Sequence, residues 1–179
     1  MVEVKQIISV LTKAVDIGIE YYSLCLIIYL AMLIILSHKP RRLRYFVALL
    51  CAYCFALLAS TVLSSGTKSD SGKNIIPFVT YYKAIKSPRD SNGLDIEILI
   101  NIIMMIPFGF LLSSVTDKNL TFTMIVGILF SVMLEALQYA LHKGYCETDD
   151  IFSNTIGVIV GHGIYKSIVC LLKEKEKYF

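Results

Sequence analysis

Between Leu134 and Asn154 the chain places Glu135, Gln138, His142, Glu147, Asp149, Asp150 and Asn154 in a stretch that begins as an apolar helix. Carboxylates beside an imidazole can bind a divalent cation, activate water, or hold a cationic or hydroxyl-rich head group. Glu135, Gln138, Tyr139 and His142 follow at i, i+3, i+4 and i+7, so they share one helical face, and Ser131 extends it by a turn. A carboxylate in such a helix is costly and turns to a bundle interior or to water. His142 falls at the end of the run, where an exposed interfacial imidazole is the plainer reading. Asp150, Asn154, Gly157 and Gly161 make a second face that begins polar and becomes small; its GxxxG lets another helix approach closely. Carboxylates favour a helix start. Capping accounts for one acid, but not for Glu147, Asp149 and Asp150 together. Glu97 and Asn101 form an i, i+4 pair further upstream.

The elements that must carry these groups are legible in composition. Of 179 residues, 56% are hydrophobic and 17% charged, with mean hydropathy +0.67; a soluble domain carries about a quarter charged residues. A spanning helix needs roughly 20 mostly apolar residues. Five segments qualify: 18–37, 45–63, 96–115, 120–141 and 151–172. The expected fold is all-α, a polytopic membrane bundle of about five transmembrane helices with antiparallel neighbours. Residues 1–17, with Val4, Ile7, Ile8, Leu11 and Val15 at helical spacing, read as an amphipathic segment on the membrane surface. Their charges, Glu3, Lys5, Lys13 and Asp16, leave no apolar region of a cleavable signal peptide. Residues 173–179 form a charged tail. Cys51 and Cys54 form a CxxC within an apolar run, where thiols serve as small packing groups. The five cysteines give no disulfide framework.

Formal net charge is +3, with the basic residues in loops and tails rather than on one face. That argues for membrane orientation and against nucleic-acid binding. "HKPRRLR" and "KEKEKYF" fall on one side of a five-span arrangement. With Lys118 and Lys166 that side holds nine basic residues, against eight on the other. Their density, more than their number, places the N-terminus outside and the C-terminus in the cytoplasm. The start of the third span, the end of the fourth and the start of the fifth then meet at the outer leaflet. There Asn101, Glu135, Gln138, Asp149, Asp150 and Asn154, with Glu97 beside them, can converge beneath the loop that carries Asn74, Pro77 and Phe78. Pro107 and Gly109 in the third span read first as a packing kink, and more sharply as the wall of a cavity. No HExxH, Ser–His–Asp order or phosphate-cradling glycine loop occurs, so no metal or cofactor is expected.

Four pieces, in order, carry a resemblance. "NIIPF" matches at Asn74, Pro77 and Phe78. "NIIMMIPFGFLL" matches at Asn101, Pro107, Phe108 and Gly109. "LEALQ" matches at Glu135 and Gln138. "ETDDIFSNTIGVIVG" matches at Asp149, Asp150, Asn154, Thr155, Gly157 and Gly161. Over about residues 45–165 the chain resembles the VanZ-like membrane proteins, named for a teicoplanin-resistance protein of Gram-positive bacteria. The resemblance implies a membrane domain over 45–172, preceded by an additional helix and basic loop over 18–44. It also implies a link to lowered susceptibility to teicoplanin, a lipid-tailed glycopeptide. The family usually carries an arginine shortly before the acidic cluster. Here Lys143 is the nearest base, and lysine cannot form the bidentate fork of arginine on a carboxylate.

Three functions follow as expectations. The first is a cell-envelope protein that binds a lipid-linked or amphiphilic ligand: Glu135, Asp149 and Asp150 engage its polar head, and Asn101, Gln138 and Asn154 orient them. The second is an enzyme on a lipid-linked envelope precursor, with Glu135 as acid/base and Asp149 and Asp150 as further catalytic candidates. The third is an interaction protein whose polar faces only fix helix register. A transporter fits less well, because the spans show no internal repeat. The expected partners are the lipid bilayer and such a ligand, with no nucleic acid; the sequence leaves the oligomeric state open.

Overall fold

Apolar runs interrupted only by short polar connections wind into helices in the computed structural model of the chain, which describes residues 21–63, 73–74, 81, 92–142 and 146–176. These are α1 (Tyr21–Ile35), α2 (Arg41–Leu58), α3 (Asn92–Thr116), α4 (Leu120–Ala140) and α5 (Thr148–Glu176). α2 continues through a wider, π-type turn over Ala59–Leu63. Two-residue strands, β1 (Lys73–Asn74) and β2 (Cys146–Glu147), pair in parallel, Lys73 opposite Cys146 and Asn74 opposite Glu147. Four stretches are long and apolar enough to span a membrane: Arg41–Thr61, Ile98–Thr116, Leu120–Ala140 and Thr148–Glu174; α1 is a shorter apolar helix. The protein is thus an all-α, multi-pass membrane bundle. The N-terminal segment 1–17 lies outside the described residues.

Several boundaries differ from the sequence reading: α3 starts at Asn92 and α5 at Thr148, ahead of the expected 96 and 151. α2 starts at Arg41, taking in three arginines assigned above to a loop, because Pro40 at the N-cap position has the fixed φ (−52°) that suits a helix entry. α5 runs on to Glu176, since the lysines and glutamates of the tail are good helix formers.

α5 packs most extensively on α3 and next on α4. Small residues make this possible. A Cβ added at Gly157 would collide with the Ile102 carbonyl, one at Gly161 with the Ile106 carbonyl, and one at Gly109 with the Val158 backbone. The two helices therefore touch backbone to backbone, the means by which membrane helices associate when lipid removes the hydrophobic drive. Leu57, Met105, Phe108, Leu112 and Val158 form the buried core, flanked by Tyr53, Cys54 and Phe130. Phe108 and Phe130 stack with centroids 4.6 Å apart. Large apolar side chains such as Leu99, Ile103, Ile125 and Leu129 point outward, as lipid-facing residues do.

Pro107 cannot donate to the Ile103 carbonyl, and its ring lies on the exposed side of α3. The Tyr53 hydroxyl donates to the next carbonyl, Met104, at 2.6 Å, so α2 braces the opened turn. Together with Gly109 against α5, this makes the Pro107 region a packing joint.

α3 and α4 are joined by residues 117–119. Asp117 takes a left-handed φ of 48°, which aspartate tolerates. Asn119 caps α4 by accepting the Phe122 N–H at 3.0 Å. The Asp117 carboxylate accepts from Lys166 Nζ at 3.2 Å and from the Tyr165 hydroxyl at 3.3 Å. The Lys166 ammonium holds the Asp117 carboxyl below its usual range. Arg42 Nη2 donates to the Tyr165 hydroxyl at 3.2 Å, which ties α2 to the same cluster. This is the basic end of the bundle; the acids gather at the other.

Candidate functional site at the acidic end

α3 and α5 begin where α4 ends, so the first turns of two helices meet the last turns of the third. Glu135, on α4, is 4% exposed. Its Oε2 accepts the Glu147 N–H at 3.0 Å, so β2 closes over it. The Glu147 backbone is thereby held against it, and Asp150 follows in the first turn of α5. Asn101 Nδ2 donates to Asp150 Oδ1 at 2.9 Å, joining α3 to α5. One turn deeper, Asn154 Nδ2 donates to Ser131 Oγ at 2.8 Å, joining α5 to α4. Asp149 is buried beside them at 3% exposure. Gln138 turns to the π-type turn that continues α2, where its Nε2 donates at 3.1 Å to the Thr61 carbonyl.

Asn101, Glu135, Gln138, Asp149, Asp150 and Asn154 thus gather at one end. Asn74 joins through its backbone, as the residue opposite Glu147 in the strand pair. Glu97 lies in α3. Pro77, Phe78 and Lys143 lie outside the described residues. His142 follows α4 with φ 53° and is exposed, which fits the interfacial reading.

Two partners were not foreseen. The Ser153 hydroxyl donates to the Asp149 carbonyl at 2.9 Å, so the Tyr81 hydroxyl, 2.7 Å away, donates to Ser153. Tyr81 also meets Phe152 edge-on at 5.8 Å. Ser153 follows Asp149 by one helical turn, a usable signal; Tyr81 sits in the long loop with no pattern to mark it. A buried histidine in the other half of the bundle, His162, is also absent from the sequence reading.

At this end the Asn101 amide donates to Asp150 and the Glu147 backbone N–H to Glu135. Ionised carboxylates only accept hydrogen bonds. The chemistry that suits carboxylates is a donor-rich group: an ammonium, a guanidinium or a set of hydroxyls. Among the described residues, no three His, Cys, Asp or Glu side chains are placed to hold a metal ion.

A model of the VanZ/LLP1 family matches residues 23–172. The match begins within α1 and ends within α5, so every helix of the bundle contributes to it. No curated protein and no solved structure matches the chain.

Proposed function

This chain belongs to the VanZ/LLP1 family, and on that premise we propose that it is a cell-envelope protein whose acidic end binds the polar head of a lipid-linked or amphiphilic ligand from the outer leaflet. The observation that carries this reading is Glu135: a carboxylate buried within a spanning helix, held by one backbone N–H, with Asp150 and Glu147 beside it. Packing alone gives no reason to gather acids there, since charges inside a membrane are costly and mark binding or transfer sites. A ligand head rich in N–H or O–H groups is the chemical complement of carboxylates, which accept hydrogen bonds. The apolar tail of such a ligand would lie along the lipid-facing helices. The resemblance to proteins linked to teicoplanin susceptibility supports glycopeptide resistance as the phenotype.

The test is the lipid content of the purified protein. Wild type and the Glu135→Gln, Asp150→Asn double variant are extracted in native-lipid particles and compared by mass spectrometry. The reading predicts an amphiphile enriched with wild type and depleted with the variant. Identical profiles would sink it and leave a register-fixing polar network, a reading favoured by the closed bonds Asn101–Asp150 and Asn154–Ser131. A chemically altered lipid found only with wild type would point to Glu135 as an acid/base.

A further inference from the structure

His162 lies on α5, in the basic half of the bundle, and is 7% exposed. Its Nδ1 is 3.0 Å from Ser113 Oγ on α3 and 3.3 Å from Thr123 Oγ1 on α4. Both hydroxyls have another use for their hydrogen. Ser113 donates to the Gly109 carbonyl at 2.7 Å, and Thr123 to the Asn119 carbonyl at 3.3 Å. A hydroxyl has one hydrogen. Each therefore turns a lone pair toward the ring, and Nδ1 must carry the hydrogen between them.

We infer that His162 is a base of fixed tautomer, with Nδ1–H anchored on Ser113 and Thr123, and that its Nε2 lone pair is a second site, on the basic side of the bundle, for a proton or a protic head group. Nε2 has no hydrogen-bond partner among the described residues and is not among their fully sealed polar atoms. An imidazole oriented by a bond at one nitrogen, with the other nitrogen open, is the arrangement in which histidine binds protons or donors. The groups around it leave this task to the ring. α3 presents Ser113 and α4 presents Thr123, neither of which titrates in this range. On α5, Tyr165 and Lys166 follow one turn on, with Asp117 held by Lys166 and Arg42 held by Tyr165. Protonation occurs at Nε2 and leaves both anchoring bonds in place, so the ring changes charge without changing position.

The test is ¹⁵N spectroscopy of ring-labelled histidine in the full-length protein. His162 is distinguished from His38 and His142 by the resonances lost in His162→Gln. In phosphatidylcholine bilayers the neutral ring is expected to carry its hydrogen on Nδ1. Acidification from about pH 8 to 5 should then move the Nε2 resonance to the protonated position while Nδ1 stays protonated throughout. Replacing part of the lipid by phosphatidylethanolamine at constant pH separates the two sources of the hydrogen. A further shift of Nε2 identifies the head-group ammonium as donor, and no further shift identifies the proton alone. A neutral ring with its hydrogen on Nε2, or an Nε2 that responds to neither acid nor lipid, overturns the inference. Ser113→Ala with Thr123→Val removes both acceptors and should abolish the preference for Nδ1–H. If that preference persists in the double variant, the anchoring argument is wrong.

Discussion

Asn154 and Tyr53 each join two helices by one hydrogen bond. Asn154→Ala leaves Ser131, fully buried, without its donor. Interhelical hydrogen bonds in membranes are worth about 0.6–2 kcal/mol, so unfolding equilibria in mixed detergent should show a loss in that range with the fold retained. Tyr53→Phe removes the bond to the Met104 carbonyl and should lower stability by about 1 kcal/mol, with no change in bound lipid. A larger loss would mean that the turn opened by Pro107 depends on α2. Helical spacing made Glu135, Asn101, Asp150 and Asn154 legible in the sequence, because each sits one turn from another polar residue. Thr61 and Tyr81 were not legible. Thr61 contributes a carbonyl, which any residue has, and Tyr81 is brought in by a loop whose path no periodicity encodes. His162 had a signal, an ionisable residue inside an apolar helix, but its partners Ser113 and Thr123 lie on two other helices.

The helices were legible as apolar runs, and the backbone contact between α3 and α5 as small residues at i and i+4. What the runs do not encode is where a helix continues through charged residues, hence the earlier start of α2 and the longer α5. The α3–α5 contact makes a sharp prediction, because α5 carries its own control. Gly161 lies against the Ile106 carbonyl, whereas a Cβ at Gly163 would meet nothing within 4 Å. Gly161→Ala should cost about 1–3 kcal/mol by overpacking. Gly163→Ala should be neutral or slightly stabilising, since alanine is the better helix former. Thermal melts of the two variants side by side check this. Equal behaviour would contradict the close backbone packing.

For the whole molecule, the separation of an acidic end from a basic end makes orientation testable. A protein whose only cysteine is Cys146, in β2 at the acidic end, should react with a membrane-impermeant thiol reagent in intact cells. Reaction only after lysis would place the acidic end in the cytoplasm and remove the outer leaflet from the account. The most direct test of the central proposal is antibiotic susceptibility. A sensitive Gram-positive host carries empty vector, wild type or Glu135→Gln, and membrane abundance is matched by immunoblot. Glutamine keeps the size of Glu135 and removes its charge. The account predicts that wild type protects selectively against teicoplanin over vancomycin and that Glu135→Gln does not. Equal protection by both proteins would contradict it, making Glu135 a structural residue and the acidic end no working site.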